Sequence, residues 1–133
     1  MTENTHNTSP ILAPVSIGEL IDKITILEIK KQNMEGSKLQ NVEKELSSLK
    51  NTIKRIQLKI DNDLFEKLKI INQTLWLIED KIRVKESKQE FDQGFIDLAR
   101  SVYKQNDKRA LIKKEINYKY NSDLVEEKTY KKY

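Results

Sequence analysis

Apolar residues recur along this chain at helical spacing. Leu39, Val42, Leu46, Leu49, Ile53, Ile56 and Ile60 follow one another at intervals of 3, 4, 3, 4, 3 and 4, with polar residues between them. That is a heptad seam, and such a seam calls for a partner helix. Leu64, Leu68, Ile71, Leu75, Ile78 and Ile82 continue the pattern beyond Asp61-Asn62-Asp63, where Asp63 is placed to cap a new helix. So short a connection predicts that the second and third helices form an antiparallel coiled-coil hairpin. One continuous helix is the rival reading, because Asp and Asn weaken a helix without breaking it.

Helices flank this hairpin on both sides. Ser16 followed by Glu19 matches a capping box. Ile17, Leu20, Ile21, Ile24 and Leu27 then form one face, while Ile26 and Ile29 fall outside it. A helix apolar on more than one side needs more than one partner. Gly36 stands where a helix would end in a left-handed residue. A break near Ser87–Glu90 precedes a fourth helix from about Asp92 to Tyr120, with Phe95, Leu98, Ala99, Val102, Ile112 and Ile116 on one side. The expected fold is an all-α helical bundle: a coiled-coil hairpin with flanking N- and C-terminal helices. Residues 1–13 read as a flexible leader, with Ile11 and Leu12 docking loosely, and residues 14–133 as a single helical domain. The charged tail from Asn121 to Tyr133 reads as a partly docked extension.

Composition narrows the function classes. Charged residues make up 35% of the 133 positions, with only 3 Gly and 2 Pro, as in long helices. There is no Cys, which excludes disulfides and thiolate zinc sites. The single His, His6, lies in the polar leader, so no cofactor or metal is expected. The net charge of +4 comes from Lys and Glu interspersed along helices, the pattern of a solvated surface rather than a nucleic-acid face. No apolar run reaches the ~18 residues of a membrane span, and the leader is not a secretory signal. The expected location is the cytoplasm.

Phosphate loops, nucleophile elbows and His-based metal motifs are absent. Helical geometry nevertheless places polar residues among apolar ones. Asn106, Arg109 and Lys113 share a sector with Phe95, Val102 and Ile116. Glu28 shares one with Ile17 and Ile21, and Asn72, Trp76, Glu79 and Arg83 flank the third-helix seam. A buried charge must be paired. The expectation is a cluster that sets Glu28 or Glu79 against Arg83, Arg109 or Lys113. It is read either as structural, with Glu79 and Arg83 a simple i,i+4 pair, or as a pocket for an anionic ligand.

Pro14-Val15-Ser16-Ile17-Gly18-Glu19-Leu20-Ile21-Asp22-Lys23-Ile24-Thr25-Ile26-Leu27-Glu28 resembles the opening of a small all-helical family of unknown function, from bacteria, including marine ones, and some of their phages. Leu75-Trp76, Ile78-Glu79-Asp80, Leu98-Ala99-Arg100-Ser101-Val102-Tyr103, Asn106-Asp107, Arg109-Ala110, Glu126-Glu127-Lys128 and Tyr130 extend the resemblance to about Tyr130. It implies that the whole chain is one unit, tail included. Proximity of such genes to glycosyltransferase genes implies a link to surface-polysaccharide assembly, with a glycosyltransferase as a possible protein partner. The family carries no established activity. Glu19-Leu20-Ile21-Asp22-Lys23-Ile24 is also similar to the first helix of all-helical chorismate mutases, but the match is short and helix 1 has no Arg. The resulting expectation is a non-enzymatic interaction or scaffold module that forms a homodimer or higher oligomer. The alternative is a helical bundle that binds or transforms a small anion.

Overall fold

The computed structural model describes residues 9–133. Residues 1–8, which include His6 and much of the expected leader, lie outside the described residues. Four helices make up the architecture: α1 (Ile17–Asn33), α2 (Gly36–Arg55), α3 (Asn62–Ser87) and α4 (Gln93–Lys119). No strand occurs among the described residues, so the fold is all-α, as the periodicity predicts. Ile11 and Leu12 do not dock; both are exposed, in a non-helical stretch bounded by Pro10 and Pro14.

The helix ends follow from local chemistry. The Ser16 hydroxyl accepts from the Glu19 amide at 3.0 Å, and Asp92 caps α4 by accepting from the Phe95 amide at 2.9 Å. The cap of α3 is Asp61 rather than Asp63: it accepts from the Leu64 amide at 3.0 Å, whereas Asp63 already lies in the first turn. Gly36 does not end α1. It opens α2 with φ 66, a left-handed conformation that turns the chain back after the Met34–Glu35 link.

Helix α1 is the hub and packs on all three other helices. Its partners correct the expected hairpin. The seam of α2 lies on α1, not on α3, and α2 and α3 do not pair. Val42 and Leu46 of α2 join Leu20, Ile24 and Leu27 of α1 in one core cluster, bordered by Leu49, Ile53 and Phe65. Leu64 and Leu68 of α3 join Ile21 of α1 and Ile116 of α4 in a second cluster. Each such side chain contributes about 1.5–3 kcal/mol on burial. The two hairpins are thus α1–α2 and α3–α4. In the second, Asp61 at the start of α3 bonds to Lys119 and Tyr120 at the end of α4. Ile29 finds its expected second environment inside the same chain, where it is buried.

Candidate functional site

The α1–α4 interface is built on polar groups. The four leading amides of a helix have no partner within it. In α1 the amides of Ile17, Gly18 and Glu19 find theirs in side chains. Ile17 donates to Ser122 Oγ (3.0 Å), Gly18 to Asn117 Oδ1 (2.6 Å), Glu19 to Ser16 Oγ and Leu20 to the Ser16 carbonyl (3.1 Å). Two of these acceptors lie about 100 residues away in sequence. Close approach requires Gly18: a Cβ there would stand 2.5 Å from the Lys113 carbonyl oxygen. The capping box is only half formed, because the Glu19 carboxylate turns to Lys113 Nζ at 2.7 Å.

Asp22 lies at the centre, only 1% exposed. Arg109 grips it with Nε on Oδ1 at 3.0 Å and Nη2 on Oδ2 at 2.5 Å. Asn72 of α3 donates to the same Oδ1 at 2.9 Å and to Thr25 Oγ1 at 2.8 Å, while Thr25 donates to the Asp22 carbonyl. Lys113 Nζ stands 3.9 Å from Asp22 Oδ2 and reaches Glu126 of the tail at 3.2 Å. Arg109 also donates to Asn106 Oδ1 at 3.3 Å. The Asp22 hydrogen bond holds the Arg109 pKa above its ordinary value despite burial. At Lys113, burial opposes the charged form but is outweighed by Glu19, Asp22 and Glu126, so its pKa is raised. Lys128 and then Lys113 lower the pKa of Glu126.

The tail runs back along α4. Lys114 bonds to Glu127 at 2.6 Å, Tyr133 donates to Asp107 at 2.6 Å, and the Tyr133 and Tyr103 rings meet edge to face. Between tail and helix runs an open groove lined by Val102, Ala110, Leu111 and several lysines.

One family match spans residues 12–133, described as a family of unknown function, DUF6165. The chain belongs to this family. The DUF6165 match takes in every residue of the Asp22 cluster and the tail that closes it. No curated protein and no solved structure matches the chain.

The structure unites four of the eight residues singled out from the sequence: Asn72, Asn106, Arg109 and Lys113. Glu28 is elsewhere, bridging Lys69 at 3.2 Å and Lys50 at 3.6 Å. Glu79 and Arg83 form an exposed i,i+4 pair at 3.8 Å, and Trp76 is half-buried with no polar contact to the cluster. The central carboxylate is therefore Asp22 rather than Glu28 or Glu79. Gly18, Asp22, Thr25 and Ile29 repeat at intervals of 4, 3 and 4, a second stripe on α1 that faces away from α2. That spacing was the available signal. Chemically, two cations meet three carboxylates, so neither Arg109 nor Lys113 lacks an anion. No group of side chains suited to a metal ion occurs among the described residues.

Proposed function

We propose that this DUF6165 protein is a cytoplasmic, non-enzymatic helical interaction module whose working surface is the outer half of the α3–α4 hairpin. One observation carries the reading. Between Gln73 and Ile112 only Ile78 is buried, although the stretch contains Leu75, Trp76, Leu77, Ile82, Val84, Phe91, Phe95, Ile96, Leu98 and Val102. Of these, Leu77, Val84, Phe91 and Ile96 are exposed, and apolar surface left uncovered in this way marks an interaction site. The Asp22 cluster supports the reading from the other side. Arg109 and Lys113 already hold carboxylates, so the cluster ties α1, α3, α4 and the tail together rather than awaiting an anion. No helix among the described residues is long and apolar enough to cross a membrane. The setting implied by the resemblance is surface-polysaccharide assembly, and a glycosyltransferase is the first partner to test by co-purification.

A second reading has one observation in its favour. The tail groove is lined by Arg109, Lys113, Lys114, Lys128, Lys131 and Lys132 against Asp107, Glu126 and Glu127, an excess of positive charge that suits a small anion. Thermal-shift screening with sugar nucleotides, phosphosugars and dicarboxylates decides between the two. The interaction-module reading expects no saturable shift. A saturable shift in the wild type that is lost in Arg109→Leu overturns it.

A further inference from the structure

Helices α2 and α3 both pack on α1 but do not pair with each other, and a cleft of about 350 Å³ opens between them. Ile24 of α1, Ile53 of α2, Ile60 of the connector and Phe65 of α3 give it an apolar interior. The volume falls within the roughly 300–1,000 Å³ of small-molecule sites, and a gap between helices of a bundle is a favoured place for one. The α2 seam explains why this interior lies open. Val42 and Leu46 are its buried members. Further along, the seam passes from half-buried Leu49 and Ile53 to Ile56, which is 50% exposed. Helix α1 covers one side of that end, and the missing contact with α3 leaves the other uncovered.

Charge stands beside the apolar interior. Glu28, Lys50 and Lys54 also line the cleft. Glu28 is shared between Lys69 at 3.2 Å and Lys50 at 3.6 Å, and Lys54 has no ion-pair partner among the described residues. The one carboxylate is therefore already held, and the surplus is cationic. Lys50 and Lys54 are neighbours one turn apart on α2.

We propose that the α2–α3 cleft binds a small amphipathic carboxylate, its apolar body against Ile24, Ile53 and Phe65 and its head group at Lys50 and Lys54. Burial of the hydrocarbon supplies the affinity, and the two ammoniums select the sign of the head group. A cationic amphiphile would find Glu28 taken and meet the two lysines instead. The inference goes beyond the interaction-module reading and does not rest on it, because no residue of the cleft belongs to the Gln73–Ile112 surface or to the Asp22 cluster.

The test uses the full chain and decanoate, below its micelle threshold, with decylammonium as the control of opposite sign. Calorimetric titration is expected to show saturable binding of decanoate at one site, and amide NMR shifts gathered around Ile24, Ile53 and Phe65. Decylammonium is expected to bind at least about tenfold more weakly. Lys54 is exposed, so Lys54→Glu is expected to keep the fold, as read by circular dichroism, and to weaken decanoate by about tenfold. Ile53→Trp fills the cleft and is expected to abolish binding without lowering the helix content. The absence of saturable decanoate binding overturns the proposal. Equal binding of decanoate and decylammonium overturns it too, as does binding indifferent to both Lys54→Glu and Ile53→Trp. Binding lost in Arg109→Leu but kept in Lys54→Glu places the ligand in the tail groove, which overturns this site and favours the small-anion reading. The interaction-module reading fails separately, on a saturable shift with the sugar nucleotides, phosphosugars or dicarboxylates that Arg109→Leu removes.

Discussion

Arg109 of α4 holds Asp22 of α1 in a two-point clamp across 87 residues of sequence, with the carboxylate buried and the guanidinium 27% exposed. The number of partners each change strands sets the expected cost of breaking it. Arg109→Leu leaves Asp22 with Asn72 and the nearby Lys113, whereas Asp22→Leu leaves Arg109, Lys113 and Asn72 facing an apolar group. Asp22→Leu is expected to cost about 3–5 kcal/mol, and Arg109→Leu less. The double change is expected to cost less than the sum of the two, because an apolar pair strands neither charge. Urea denaturation of the three variants checks the order.

Gly18→Ala tests the closeness of α1 and α4. The added methyl meets backbone, the Lys113 carbonyl, which cannot swing aside as a side chain can. The helices must part, and the bond from the Gly18 amide to Asn117 lengthens with them. A loss of about 1–3 kcal/mol is expected in thermal or urea unfolding. No measurable loss would mean that the two helices are not in contact there.

Burial predicts opposite outcomes for two leucines on one helix. Leu68 is fully enclosed between α1 and α4, so Leu68→Ala is expected to cost about 2–5 kcal/mol. Leu77 is exposed, and Leu77→Ala is expected to stay within about 0.5 kcal/mol.

Stability is expected to fall on both sides of neutrality, for opposite reasons. The pKa values of Asp61, Asp92 and Glu126 are lowered: Lys119 acts on Asp61, Lys85 on Asp92, and Lys128 then Lys113 on Glu126. A lowered carboxylate contributes stability above its unfolded value, and that contribution is lost as pH falls through the folded one. The acid decline therefore begins below about pH 4. Lys113 and Arg109 are raised, so their contributions are complete below the ordinary values and are lost as pH rises through the folded ones. Urea midpoints across pH check both limbs, and Asp61→Asn is expected to flatten the acid one.

Much of the fold was legible in the sequence. Ser16 and Asp92 mark helix starts, the Ser87–Glu90 break is where α3 stops, and the seam of α2 announces its need for a partner. These are properties of a few turns of chain, set by hydrogen bonding to nearby amides and by a period of 3.6 residues. Half the polar cluster was legible too, because Arg109 and Lys113 sit among apolar neighbours on α4. Asp22 was not, since on its own helix it lies outside the main apolar face and reads as solvent-facing.

The sequence by itself determined four helices, some of their ends and the faces that must be covered. Only the tertiary structure decided what covers them. A heptad seam specifies a helical partner without naming it, because the energy of burying Leu46 is much the same on α1 as on α3. The choice came from contacts between residues distant in the chain. Gly18 lets α4 lie close on α1, and that approach buries Asp22 against Arg109 and occupies the inner faces of α3 and α4. It leaves α2 to the opposite side of α1, and leaves Leu77 facing outward.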